Sequence, residues 1–223
     1  MGRAKEIIVK VIPSDIANKF VKEYHYSGKV VQNSKLHFGC FLDGRLGGVM
    51  QYGSPIDKRN IIGLVDTDNK TTNEKWNEMV ELNRMAFSDL LPRNSESRCI
   101  AISVKLMRMH APQIKWILSF SDGTQCGDGT IYRASGFKLT AINKNATIFK
   151  LPSGETAAKH GTSKKDFTGA EKMKGFQLRY IYLVDRNARL AVPSIPFSQI
   201  DEAGAGMYKG KTVTLKERRE EKQ

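Results

Sequence analysis

The chain is 223 residues long, 40% hydrophobic and 26% charged, with 36 Lys and Arg against 23 Asp and Glu for a formal charge of +13. That much apolar matter excludes wholesale disorder, and no run nears the roughly 18 apolar residues of a membrane helix. Met1 to Glu6 carries no apolar signal core, so a cytoplasmic protein is expected, and the basic excess points to a polyanion such as nucleic acid as partner rather than to a membrane.

Residues 6–12 are β-branched and apolar up to Pro13 and predict a first strand. Ser14-Asp15 caps a predicted helix whose apolar face is Ile16, Phe20, Val21 and Tyr24. Leu36 to Leu42 and Leu46 to Tyr52 read as strands joined by Asp43-Gly44-Arg45, a strong hairpin signal, and Gly47-Gly48 implies a bulge or a close backbone approach. Residues 54–75 lack sustained periodicity and are expected to form a long surface connection. A strand over 79–87, an irregular stretch over 88–98 and a buried helix from Cys99 to His110 follow, the helix ending before Pro112. Ile114 to Phe120 reads as a strand covered on both faces, Ser121 to Gly129 as a Gly- and Asp-rich loop, and Thr130 to Ser135 as a short helix ending at Gly136. Further strands are expected near 138–142, 147–151 and 177–184, with a polar Lys-rich insertion over 153–175. This order is α+β with a mixed sheet: one catalytic domain over 1–195 and a C-terminal tail over 196–223. Cys40 and Cys99 lie among apolar neighbours and read as small core residues, whereas Cys126 sits in the Gly-rich loop.

The buried strand followed by Ile131-Tyr132-Arg133-Ala134-Ser135-Gly136-Phe137 resembles the C-terminal half of the GNAT acetyltransferase fold, a mixed, mostly antiparallel sheet flanked by helices. In that fold a strand-loop-helix unit binds the pyrophosphate of coenzyme A. The matching stretch here offers Arg93, Asn94, Ser95, Ser97 and Arg98, with Arg-Asn-Ser-Glu-Ser-Arg standing where the family has glycines. Whole segments also correspond: Tyr24-His25-Tyr26-Ser27-Gly28-Lys29, Leu36-His37-Phe38-Gly39, Glu81-Leu82-Asn83-Arg84-Met85, Leu91 to Ser97 and Ser121 to Tyr132. They are similar to the phage Mom family of adenine-modifying proteins, over residues 20–150. The resemblance implies an enzyme that places an acetamido (carbamoylmethyl) group on the exocyclic amine of adenine in duplex DNA and so shields phage DNA from restriction. It implies acetyl-coenzyme A as donor, while a basic chain without the family's glycines would also suit an aminoacyl donor such as a charged transfer RNA.

The amine of adenine is a weak nucleophile, so a site must hold it against an electrophile and remove a proton. His37 is a candidate base or ligand, and equally a half-buried strand histidine. Asp122, after a buried strand, is a candidate proton acceptor; Tyr52 and Tyr132 are candidates to donate a proton, bind an oxyanion or stack on an extruded base. Arg84 sits in an interior strand and needs a partner, with Glu81 in reach, or a bound anion, which makes it a candidate donor-binding residue. Ser121 is a candidate hydrogen-bonding group for the base, Tyr26 a candidate to fill the gap left by it, and Lys58, Arg59 and the lysines between Lys159 and Lys174 candidate DNA contacts. No His or Cys pair has zinc spacing, while a redox metal assembled from distant residues stays open, as does a homodimer. The alternatives are an N-acetyltransferase for a small-molecule or protein amine, and a DNA-binding module without catalysis.

Overall fold

A computed structural model describes residues 2–68, 71–123, 129–159 and 165–205, together with the backbone of 207–208 and 211–212. Its elements are β1 (Ile8–Val11), α1 (Ser14–Tyr24), β2 (Ser34–Leu42), β3 (Arg45–Gly53), α2 (Lys58–Ile61), β4 (Val65–Asp66), α3 (Thr72–Asn77), β5 (Met79–Phe87), α4 (Ser95–His110), β6 (Trp116–Asp122) and α5 (Thr130–Ala134). They continue with β7 (Lys138–Asn145), β8 (Ile148–Lys150), β9 (Thr156–Ala158), β10 (Glu171–Lys172), β11 (Gly175–Leu183), β12 (Arg189–Leu190), α6 (Ser198–Glu202), β13 (Met207–Tyr208) and β14 (Lys211–Thr212). Seven strands form one sheet in the order β1-β2-β3-β5-β6-β11-β7. The β1-β2-β3-β5 pairs are antiparallel and β5-β6 is parallel, as the helix α4 that crosses between them requires. This is the α+β, mostly antiparallel, GNAT-like architecture expected. No helix among the described residues is long and apolar enough to cross a membrane.

The chain divides into two compact units: Met1–Ser119 with Ile131–Lys138 and Ile181–Pro193, and Phe120–Thr130 with Leu139–Tyr180 and Ser194–Gln223. In the first, α1 buries Ala17, Phe20 and Val21 against Ile12, Val49 and Ala86. Each large apolar side chain so enclosed contributes about 1.5–3 kcal/mol. The buried stripe is narrower than the expected face, for Ile16 and Tyr24 are 44% and 45% exposed. Tyr24 instead stacks on Phe20 with ring centroids 4.4 Å apart. Helix α4 buries Cys99, Ile100, Val104 and Met107. It starts at Ser95 rather than Cys99, because Asn94 takes up the left-handed conformation (φ 66°) and turns the chain directly into the helix. The hairpin of β2 and β3 forms on Asp43-Gly44 as expected, with a register shift between Cys40 and Phe41 beside Gly47-Gly48. Residues 54–75 hold α2, β4 and the start of α3, the last fixed by a Thr71/Glu74 capping box.

In the second unit β9 and β10, both from the polar insertion, flank β8 in a three-stranded sheet. Phe149 and Phe167 pack edge to face there, 5.6 Å between centroids. Helix α6 anchors the chain beyond 196 through Ile200, which is fully buried.

Candidate active site

The hairpin register sets the first part of the site. His37 lies opposite Gln51, and Gln51 opposite Arg84 across β3 and β5. Alternation along β3 and β5 turns Gln51 and Arg84 to the face that also presents Val49 and Ala86 to α1. Gln51 is fully buried, its Nε2 2.8 Å from Asn18 Oδ1 of α1 and 3.2 Å from His37 Nδ1, while its Oε1 has no hydrogen-bond partner. Burial alone holds the His37 pKa below the ordinary value.

Arg84 donates from Nε to the carbonyl of Lys29 (3.0 Å) and from Nη1 to that of Asn83 (2.8 Å). Two backbone carbonyls fix the guanidinium plane but leave its charge uncancelled, since it makes no carboxylate ion pair among the described residues. Its field is felt nearby. Burial raises the Glu81 pKa, against a hydrogen bond from Asn83 and the attraction of Arg84. Burial, and then Arg84, push that of His25 down to about 4. The ring of His25 accepts from the Ser27 amide (3.2 Å) and lies 2.9 Å from its hydroxyl.

A stability prediction follows from His25. Between its unfolded value near 6.5 and about 4, the unfolded chain takes up a proton that the folded chain refuses. Stability is therefore complete above pH 6.5 and declines as the pH falls toward 4. Urea midpoints measured across that window should drop for the native sequence, and less for His25→Gln; equal slopes would contradict the assignment.

Tyr52 lies elsewhere. It faces α4, is fully buried, and its hydroxyl is 2.8 Å from Ser103 Oγ, which in turn donates to the Ile100 carbonyl. Phe38 meets its ring edge-on at 5.9 Å, and burial raises its pKa. The expectation that Tyr52 could stack on a base meets a side chain with no exposed surface, on the opposite face of the sheet from Gln51. Tyr52→Phe should cost about 1 kcal/mol, one buried hydrogen bond, and leave activity near native. A hundredfold loss of activity at native stability would instead return Tyr52 to the chemistry. Beside it Cys40 and Cys99 are fully buried, as expected, and their contact raises the Cys40 pKa.

Tyr132 is half-buried on α5, its ring 5.3 Å from Phe137, and the Phe137 amide closes the helix on the Tyr132 carbonyl. Ser121 and Asp122 end β6, Ser121 buried and Asp122 half-buried. The next amide, of Gly123, donates to the Phe176 carbonyl at 2.9 Å and so fixes where the Asp122 backbone leaves the sheet. A side chain at Gly123 would stand 2.8 Å from the Ala205 carbonyl, so the turn admits only glycine without movement. Residues 124–128, Cys126 among them, lie outside the described residues, as do His160 and the final run from 213.

At the start of α4 the candidate donor-binding residues divide. Ser95 is buried with its hydroxyl on the Pro92 carbonyl, and Ser97 donates to the Asn94 carbonyl, so both shape the turn. The Ser95 amide donates to the Pro92 carbonyl at 3.3 Å and Asn94 provides no side-chain cap, so it is the amides after Ser95 that the first turn offers to an external acceptor. Arg93 is exposed; Arg98 reaches the Lys5 carbonyl (2.9 Å), and its buried Nε has no partner. The remaining uncapped amides, the helix dipole and the exposed Arg93 fit a pyrophosphate group, although Glu96 in the first turn opposes it.

Of the expected DNA contacts, Lys58 is tied to the Trp76 carbonyl (3.3 Å) and covers its ring, while Arg59 is exposed. Tyr26 is 58% exposed and tilts against His25. Lys159 lies over both Phe149 and Phe167, and Lys165 pairs with Glu155. No group of three or more His, Cys, Asp or Glu among the described residues is placed to hold a metal ion. Gln51, Asn18 and Ser103 carry no sequence signal of their own; Gln51 meets His37 only through the register shift beside Gly47-Gly48.

The class that these elements define is an α+β domain built on a mixed, mostly antiparallel sheet, which carries a buried His-Gln pair, a carbonyl-held arginine and a helix start without a side-chain cap. The chain belongs to the Mom protein family, which it matches over residues 6–199. It is 34% identical over 202 residues to methylcarbamoylase mom of Escherichia phage Mu, covering 83% of this chain and 79% of that protein. Among solved structures it is similar to an IAA acetyltransferase from Bacillus cereus ATCC 14579, at 12% identity and a TM-score of 0.47, over 79% of this chain and 99% of that one. It is also similar to the ribosomal-protein-S18-alanine N-acetyltransferase of Escherichia coli, at 7% identity and a TM-score of 0.48, over 80% and 94%. A GNAT family acetyltransferase from Elizabethkingia anophelis with acetyl-CoA bound gives 12% identity and 0.43, over 80% and 98%.

Proposed function

We propose that this protein is a transferase that converts adenine in duplex DNA to its exocyclic-amine acetamido derivative, protecting phage DNA in the host cytoplasm from restriction enzymes. The observation that carries the reading is membership of the Mom family across nearly all the described chain, with a methylcarbamoylase as relative. The charge of +13 suits a polyanionic substrate.

Carbon–nitrogen bond formation displaces a proton from the adenine amine, and Asp122, fixed at the end of β6, is the group assigned to take it. His37 and Arg84 share one face of the sheet and supply hydrogen bonds to the group being transferred; Tyr132 adds a hydroxyl. A coenzyme A-type donor would be held through its pyrophosphate by Arg93, Arg98 and the first-turn amides of α4. Since the thioester of a plain acetyl group activates the carbonyl carbon and carries no amide nitrogen, the group joined through the adjacent carbon calls for a donor that brings that nitrogen and a leaving group on that carbon. An aminoacyl donor is the other chemical class that a basic protein of this kind could use. The target base leaves the stack at a cost of a few kcal/mol, and exposed Tyr26 is the group assigned to fill the gap; Arg59 and the exposed lysines near 159–174 are assigned to phosphates, which they contact without reading sequence.

The test is mass spectrometry of nucleosides from plasmid DNA recovered from cells expressing the protein. A deoxyadenosine heavier by one acetamido substituent, absent with Asp122→Ala, is the expected result. Unmodified DNA from well-folded native protein would overturn the reading.

A further inference from the structure

We infer that Gln51 is a positioning residue that fixes which ring nitrogen of His37 carries the proton. The amide sits in a relay from α1 to β2: its Nε2 is 2.8 Å from Asn18 Oδ1 and 3.2 Å from His37 Nδ1. An amide nitrogen has two protons and accepts nothing, so Gln51 donates in both contacts. His37 Nδ1 is then the acceptor, and the single proton of the neutral ring lies on Nε2.

The opposite setting of the amide is higher in energy. It would turn Oε1 toward both neighbours and strand an NH2 group, with two donors, where only the Oε1 acceptor is now unpartnered. Each buried group left unsatisfied costs about 1–3 kcal/mol, so one stranded acceptor is preferred to two stranded donors. Gln51 is fully buried, which denies the amide water as a substitute partner. Asn18, half-buried on α1, holds the amide from the other side, and burial keeps His37 neutral. No described residue hydrogen-bonds Nε2 of His37.

The consequence for function rests on the reading above, in which His37 lies beside the reacting groups. With the proton on Nε2, His37 donates a hydrogen bond to an atom that gains negative charge, and it does not take the amine proton. That work falls to a carboxylate, and Gln51 acts on the reaction only through the imidazole.

The test is the long-range 1H–15N correlation spectrum of the labelled full chain at neutral pH, whose pattern separates the two tautomers. His37 should show the Nε2–H form in the native protein and in Asn18→Asp, since a carboxylate still accepts from Gln51. Gln51→Glu replaces the donor by an acceptor and should place a proton on Nδ1, with DNA modification falling about a hundredfold. Asn18→Ala, a milder change at a half-buried helix position, should give a mixture of tautomers should the Glu variant fold poorly. An Nδ1–H form in the native protein, or an unchanged tautomer in Gln51→Glu, would overturn the inference. An Nε2–H form in a protein that leaves DNA unmodified would uphold it while removing the functional reading, so the two fail separately.

Discussion

Gly53→Ala should destabilise the protein by about 3 kcal/mol or more, one of the largest single losses expected here. The added Cβ would stand 2.1 Å from the Asn33 carbonyl oxygen, 2.7 Å from its carbon and 2.6 Å from Asn83 Oδ1. Two of these three atoms are backbone and cannot swing aside as a side-chain end does. The surroundings are also tied down: Asn33 donates from its amide to the Ser54 carbonyl, and Ser34 Oγ to Asn83 Oδ1 at 3.0 Å. The segment pressed against Gly53 belongs to the loop that presents the Lys29 carbonyl to Arg84, so displacing it also loosens the guanidinium. Urea unfolding followed by circular dichroism is the measurement. Gly63→Ala is the control, because a Cβ there meets nothing within 4 Å, and its midpoint should stay within about 0.5 kcal/mol of native. A native-like midpoint for Gly53→Ala would mean that the loop yields without cost and that Arg84 is held less firmly than its two bonds imply.

The hairpin that places His37 was legible from Asp43-Gly44, and so was the irregularity at Gly47-Gly48, where side chains would strike Leu91 and Phe87 within 3 Å. What could not be read was the consequence of combining them. Counting back from the turn alone, Leu42 faces Arg45 and His37 would face Met50; the bulge adds one residue to β3 and brings Gln51 opposite instead. A shift of one residue exchanges the faces of a strand, so the partner of His37 changes from a thioether to an amide. The burial of Tyr52 is hidden for the same reason, since its place at a strand end does not tell which face it takes. The short helices within 54–75 escaped because four to six residues give too little periodicity to register, although Thr71 and Glu74 carried a capping box in plain sight. Ser95 to Arg98 carries no legible helix signal, since polar residues leave no apolar stripe. Its helical state is set by Asn94 φ and by the fully buried Cys99 and Ile100 just beyond.

Arg84→Lys should lower DNA modification about a hundredfold while leaving the urea midpoint within about 1 kcal/mol of native. The expectation comes from how the side chain is held. Nε and Nη1 go to two carbonyls on different segments, Lys29 and Asn83, a geometry that a planar fork can satisfy and a single ammonium cannot. A half-buried cation held by dipoles alone is electrostatically incomplete, and it gains most when an anion or an oxygen acquiring charge arrives. Were the residue merely structural, lysine would cost stability and activity together; were it a diffuse positive charge, lysine would preserve activity. Arg84→Ala adds a readout that needs no substrate. Removing the guanidinium removes one of the two causes that depress His25, so its pKa should rise from about 4 while burial still keeps it below 6.5. A His25 titration unmoved by Arg84→Ala would place the arginine's charge away from that ring, and native activity in Arg84→Lys would take the residue out of the site.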